Sequence, residues 1–206
     1  MKKVFVVGPA KHYSRWIENH ELVDNIEDAD IVLFTGGEDV DPSLYGCKKH
    51  YSTSSNIKRD EEEKAVFEKV RPDQLCIGIC RGAQFLCVMN GGLLIQNVSG
   101  HGIFGTHRII NADDDCDRYE ITSTHHQMQY PFNLTRGVHY RVLFFASRSS
   151  RFYEGDGVDA PPCEPEIVLY HCKDKPKCLA IQGHPEIMRS EAPVLKMLNN
   201  LVNKYV

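Results

Sequence analysis

The chain has 206 residues, a length that suits one substantial domain able to bury its own core. Its formal net charge of -4, with 42% hydrophobic and 25% charged residues, describes an ordinary globule and gives no electrostatic case for nucleic-acid binding. No apolar run approaches the ~20 residues that span a bilayer, and the apolar part of Met1–Gly8 is too short for a secretory signal, so a cytoplasmic protein is expected.

In chain order, short apolar runs alternate with helical patterns, which argues for an α/β domain around a mostly parallel sheet. Lys3–Val7 and Ile31–Thr35 read as strands, the second running into Gly36-Gly37. Asp60–Val70 reads as a helix that opens with acidic residues, which suit a helix N-terminus. Leu75–Ile79 reads as a buried strand, and Gly82–Asn90 as the helix after it, stopped by Gly91-Gly92. The second half is richer in β-branched and aromatic runs, at Arg108–Asn111, Tyr119–Thr122, Tyr140–Ala146, Ile167–Tyr170 and Cys178–Gln182. Glu191–Tyr205 closes the chain as an amphipathic helix with Val194, Leu198, Leu201 and Val202 on one face. Two stretches, Asp39–Lys58 and Arg148–Pro165, read as long loops, which in compact domains are functional or mobile. No domain boundary is evident, so residues 1–206 are taken as one domain. Asn133-Leu134-Thr135 matches a glycosylation acceptor, read as a chance match without a signal peptide.

The most informative segment is Cys76-Ile77-Gly78-Ile79-Cys80-Arg81-Gly82-Ala83-Gln84. Cys80 stands where a strand runs into a helix, with glycines at minus two and plus two, the cysteine version of a nucleophile elbow. A helix N-terminus favours thiolate over thiol, and the backbone N–H groups beyond it can face an oxyanion. A lone cysteine is more often a buried core residue, the reading kept for Cys76 and Cys87. The other cysteines, of eight in all, read as reduced thiols. Gln182-Gly183-His184-Pro185-Glu186 follows the last strand and supplies a base with an orienting carboxylate. Pro185 disfavours a helical conformation at His184. In an extended segment, residues two apart point to one side.

These two segments resemble class I glutamine amidotransferases, in which Gly-Ile-Cys-Arg-Gly-Ala-Gln precedes a distant Gln-Gly-His-Pro-Glu. Thr35–Gly46, Arg59-Asp60 and Ser123-Thr124-His125-His126-Gln127 resemble the γ-glutamyl-γ-aminobutyrate hydrolase branch, as does Arg81 directly after the cysteine. The resemblance implies a three-layer, flavodoxin-like α/β sandwich with added antiparallel strands. It makes Cys80 the nucleophile, His184 the base and Glu186 the orienter. The N–H groups of Gly37 and Arg81 become oxyanion donors, and Gln84, His126 and Gln127 lie near a bound glutamyl group. The implied reaction is hydrolysis of a γ-glutamyl amide through a thioester, without cofactor. The alternative is a glutaminase subunit that supplies ammonia to a separate synthetase. The partners expected are a small γ-glutamyl substrate and either a second copy of the chain or that synthetase, with no nucleic acid and no membrane. Arg81 is expected to pair with a carboxylate such as one in the Glu38–Asp41 loop and hold that loop over the site.

The sequence also departs from the resemblance. Pro9–Asp30 shows only a weak pattern around Trp16-Ile17 and Leu22-Val23, where the family places a helix and a strand. Gly183 stands where the family often has Trp or Phe, and Pro161-Pro162-Cys163 enlarges a late loop. His101, His107, His125 and His126 cluster in sequence, but no Cys-x-x-Cys or His-Glu-x-x-His spacing appears, so no metal is expected.

Overall fold

The alternation of strand and helix in the first half is realised in the computed structural model, which describes residues 1–134, 137–147 and 150–206. Strands β1 (Lys2–Val7), β2 (His20–Leu22), β3 (Ile31–Phe34) and β4 (Leu75–Ile79) are accompanied by helix α1 (Ile57–Phe67) before β4 and α2 (Arg81–Met89) after it. The second half holds β5 (Leu93–Ile95), β6 (Asn97–Val98), β7 (Gly102–Asn111), β8 (Arg118–Thr124) and β9 (Met128–Tyr130). It continues through β10 (Val138–Ala146), β11 (Tyr153–Glu154), β12 (Pro165–Cys172), β13 (Lys177–Ile181) and helix α3 (Pro193–Tyr205).

One sheet of the described residues runs in the order β2-β1-β3-β4-β13-β12-β10-β7-β8. Neighbours from β2 to β13 are parallel, and neighbours from β13 to β8 are antiparallel. A parallel central sheet extended by antiparallel strands is the expected fold. Every residue of β3 and β4 is buried, as parallel strands covered on both faces must be. The two-residue period of a strand divides them between two cores. Ile31, Leu33, Leu75, Ile77 and Ile79 meet Val194, Leu198 and Val202 of α3. Val32, Phe34 and Cys76 meet Phe85 and Leu86 of α2. Helices on opposite faces give the three layers.

Helix boundaries differ from the sequence expectation for local reasons. The first helix starts at Ile57 rather than Asp60, because the Asn56 side chain accepts from the Arg59 N–H at 3.3 Å and caps it. It ends at Phe67, short of Val70. The last helix starts at Pro193 rather than Glu191, since Ala192 is extended ahead of the proline.

Pro9–Asp30 forms two 3-10 turns, Lys11–Ser14 and Ile26–Asp28, and the edge strand β2. The weak pattern there marks a real anchor: Trp16 and Ile17 are buried beside α3, whereas Leu22 is exposed. Buried Asn199 of α3 donates to the Trp16 carbonyl at 2.9 Å and accepts from the Glu18 N–H at 2.8 Å. The 39–58 loop is tied down. The Asp39 N–H donates to the Ser54 carbonyl at 2.9 Å, and the Asp39 carboxylate accepts from the Ser54 N–H at 2.8 Å. In the second long loop β11 pairs with β6, while Arg148 and Ser149 lie outside the described residues, as does Thr135 of the glycosylation match. Among the described residues, no helix is long and apolar enough to cross a membrane. All eight cysteines are free thiols.

Candidate active site

The parallel pairing of β4 with β13 builds the site. The two strands run side by side from Leu75↔Lys177 to Ile79↔Ile181, and the Cys80 N–H extends the ladder by donating to the Ile181 carbonyl at 2.8 Å. The loops that follow both strands therefore emerge together at the C-terminal edge of the sheet, where sites collect in α/β folds. Cys80 occupies φ 52°, ψ −106°, a conformation that costs a non-glycine residue about 1–3 kcal/mol. Only very small neighbours permit that turn. A Cβ at Gly78 would come within 2.4 Å of the Gly82 carbonyl oxygen, and one at Gly82 within 2.2 Å of the Phe34 carbonyl oxygen. Cys76 and Cys87, by contrast, are wholly buried core thiols. Burial pushes Cys87 up to about 12 and Cys76 well above the usual thiol range.

His184 is non-helical at φ −110°, as Pro185 requires. Its position is fixed by Thr122, whose hydroxyl accepts from the His184 N–H at 2.7 Å and donates to the His184 carbonyl at 3.1 Å. His184 Nδ1 lies 2.7 Å from Glu186 Oε1, which makes it the donor to that carboxylate and leaves Nε2 for Cys80. Burial pushes the imidazole pKa down, but hydrogen bonds to Cys80 and Glu186 outweigh this and bring it up to about 10. Glu186 is buried, and its carbonyl accepts from Arg15 Nε. Gly183 is small because strand β8 crosses it: a Cβ there would lie 2.6 Å from Ile121 Cγ1 and 2.8 Å from the Thr122 carbonyl oxygen.

A cavity of about 200 Å³ opens beside Cys80. Gly37, Arg81, Gln84, His126 and Gln127 all line it with Cys80, whereas His184 and Glu186 do not. Gln84 Nε2 donates to the Gln127 carbonyl at 3.0 Å, and Gln127 Nε2 to Thr53 Oγ1 at 3.1 Å. His126 is half-exposed at the rim and pairs with Asp39 at 3.1 Å, which raises its pKa. Sequence reasoning missed Tyr13. Its ring centroid lies 6.1 Å from that of His184, and burial, then Glu186 and Cys80, push its hydroxyl up to about 12. Tyr13 sits on a four-residue 3-10 turn, too short for a periodic signal.

Arg81 corrects one expectation. It does not reach the Glu38–Asp41 loop; its guanidinium is buried against Asp60 and Glu63 of α1. The loop is held one step further out. Asp60 Oδ2 accepts from the Asp41 N–H at 2.8 Å, and Arg59 bridges Glu63 and Glu38 at 2.8 Å each. The Arg81 backbone N–H remains at the first turn of α2 beside Cys80.

The Peptidase C26 family profile matches residues 15–135, more than half of the chain and all of the Cys80 elbow. The chain belongs to the Peptidase C26 family. It is 31% identical to the glutamine amidotransferase-like protein YvdE homolog of Lactococcus lactis subsp. cremoris, over 48% of this chain and 63% of that protein. It spans less than two thirds of the length of the curated relatives it matches. Solved structures share the fold at low identity. A Thermoplasma acidophilum protein described as belonging to GMP synthase aligns over 98% of both chains, at 14% identity and TM-score 0.57. A glutamine amidotransferase from Thermotoga maritima aligns over 98% of this chain and 84% of its own, at 15% identity and TM-score 0.54. This C26 match ends before His184, so the second half of the site rests on the strand pairing described above.

Proposed function

We propose that the chain is a cysteine-dependent hydrolase of γ-glutamyl amide bonds that works through a glutamyl thioester on Cys80. The observation that carries this reading is the Cys80 elbow paired with the His184–Glu186 dyad at the ends of adjacent parallel strands. Deprotonated Cys80 attacks the amide carbonyl, and the negative charge moves to the carbonyl oxygen. The backbone N–H groups of Arg81 and Gly37 meet that oxygen, pre-oriented donors of the kind that stabilise such charge without reorganisation. Imidazolium His184 passes its Nε2 proton to the departing amine, and the C–N bond breaks to leave the thioester. Neutral His184 then takes a proton from water, hydroxide adds to the thioester, and the Cys80 thiolate leaves with glutamate released. Glu186 keeps the ring oriented and stabilises its charged form throughout.

The cavity is smaller than the 300–1,000 Å³ typical of sites for drug-sized ligands, and it suits an amino-acid-sized group. Gln84, His126 and Gln127 are the residues we assign to the glutamyl group. Incubation with a γ-glutamyl electrophile followed by peptide mass spectrometry should place the adduct on Cys80. An adduct on Cys76 or Cys87 instead sinks the assignment. A γ-glutamyl amide panel should show turnover by the isolated chain. Turnover of glutamine alone, and only with a synthetase added, transfers the chain to the ammonia-supplying role.

A further inference from the structure

Behind the cavity wall, the antiparallel half of the sheet buries five titratable side chains together. His101 precedes β7, His107 lies on it, His125 follows β8, and Glu164 and Glu166 flank Pro165 at the start of β12. The pairing of Gly102 with Thr124 sets His101 and His125 on adjacent strand ends. His101, His107, His125 and Glu166 are at most 5% exposed.

Their nitrogens converge on one oxygen. Glu166 Oε1 lies 3.3 Å from His101 Nδ1, 3.2 Å from His107 Nε2 and 3.5 Å from His125 Nε2. None of these approaches is aligned as a hydrogen bond, and all four atoms lack a hydrogen-bond partner in the structure. The outer nitrogens explain why. His125 Nδ1 sits 2.8 Å from the Gln127 carbonyl oxygen, and His101 Nε2 sits 3.3 Å from Glu164 Oε2. Carbonyl and carboxylate oxygens only accept, so those ring nitrogens carry the protons. In the neutral rings His125 Nε2 and His101 Nδ1 then present lone pairs, aimed at a carboxylate that is itself an acceptor. Burial lowers the His101 pKa, but Glu164 and Glu166 outweigh it and bring it up to about 9, so either a ring proton or a metal cation fills the space between them. An acceptor holding the far N–H, as at His101 and His125 but not at His107, is the arrangement that orients metal-ligating histidines.

We propose that His101, His125 and Glu166, with His107 against the same carboxylate oxygen, form a binding site for a zinc-class divalent cation. Two donors at about 2.0–2.1 Å from a tetrahedral ion stand about 3.3 Å apart, and the three nitrogen–Oε1 separations are of that size. The donor atoms of His101, His125 and Glu166 lie within 4.8 Å of one another, and His107 joins through the same carboxylate oxygen. Imidazole with one carboxylate is a donor set that suits zinc rather than magnesium or calcium. The site is structural, since its four residues are buried. It fixes the Thr124–Gln127 wall of the cavity through His125, which itself lines that cavity. No paired motif announces the set, because its members come from three strands.

Metal analysis of the full chain, purified with any histidine tag removed, should find about one zinc per molecule. Stripped protein should take up Zn²⁺ or Co²⁺ with a rise in melting temperature. The Co²⁺ form should show the visible absorption of a four-coordinate ion. His125→Ala and Glu166→Gln should lose the metal, while Asp114→Asn, in the exposed Asp114–Cys116 cluster, keeps it. Wild-type protein that holds only traces of metal, and whose melting temperature ignores added Zn²⁺ and Co²⁺, overturns the proposal without any variant having to fold. So does metal that survives both substitutions.

Discussion

Cys80 and Arg81 are consecutive residues at the start of one helix, yet they belong to two kinds of buried charged assembly. Cys80 faces a cavity and is hydrogen-bonded to His184, on loops at the ends of two strands. Arg81 turns the other way, into a closed set with Asp60 and Glu63, extended by Arg59 to Glu38. In the proposed mechanism the first assembly has a charge that moves. In the second the charge is permanent on the arginines, and Arg81, Asp60 and Glu63 are nearly sealed from water. The contrast predicts that substitutions in the first set abolish chemistry and spare the fold, whereas substitutions in the second spare the chemistry and cost stability.

His184→Ala is the largest test. Turnover should fall by about 10³-fold or more, because both proton transfers lose their carrier. The melting temperature should fall less than in Arg81→Leu, because this change strands one buried carboxylate rather than two. A large loss of stability in this variant breaks the contrast from one side.

Arg81→Leu tests the other side. It strands two buried carboxylates, and breaking such a pair costs about 3–5 kcal/mol. Denaturant unfolding should register that loss, while the pH profile of Cys80 alkylation stays where it was. Burial already raises the Asp60 pKa with Arg81 in place. A carboxyl held above its unfolded value binds protons more readily in the folded state, so acid favours folding at that group. The deficit of Arg81→Leu should therefore shrink as pH falls. An alkylation profile that moves upward instead would show that the guanidinium tunes the thiolate.

Glu186→Gln has the smallest effect and sharpens the picture most. Removing the carboxylate should cost roughly 10²-fold in turnover. Burial lowers the His184 pKa, but Cys80 and Glu186 outweigh it and hold the ring near 10, above the unfolded value. The stabilisation that this brings is complete below the unfolded pKa and is lost as pH rises through about 10. Without Glu186 the proton leaves at lower pH. The alkaline limb of the pH–rate profile should move down accordingly. An unmoved limb shows that Glu186 does not couple to the ring.

Much of this was legible in the chain. Strand–glycine–cysteine–glycine–helix announced the elbow, because only glycine tolerates the backbone approaches at residues 78 and 82. His184, Pro185 and Glu186 are close in sequence, so their local geometry could be read from the proline. Tyr13 could not be read, since a 3-10 turn carries no period and the contact with His184 spans most of the chain. The Asn56 cap is legible too, but the acidic run after it gives the stronger signal and draws the helix start towards Asp60.

Sequence alone determined the three helices, the longer strands but not the short β2, β5, β6, β9 and β11, and the types of residue at the candidate site. These follow from local sterics and from the periods of helix and strand. Only the tertiary structure decided which carboxylates meet Arg81, that β4 and β13 are neighbours, and that His101, His107, His125 and Glu166 share one oxygen. Each of those depends on strand order across the sheet. Strand order is set by which buried faces fit together, and nothing within a short window of residues encodes it.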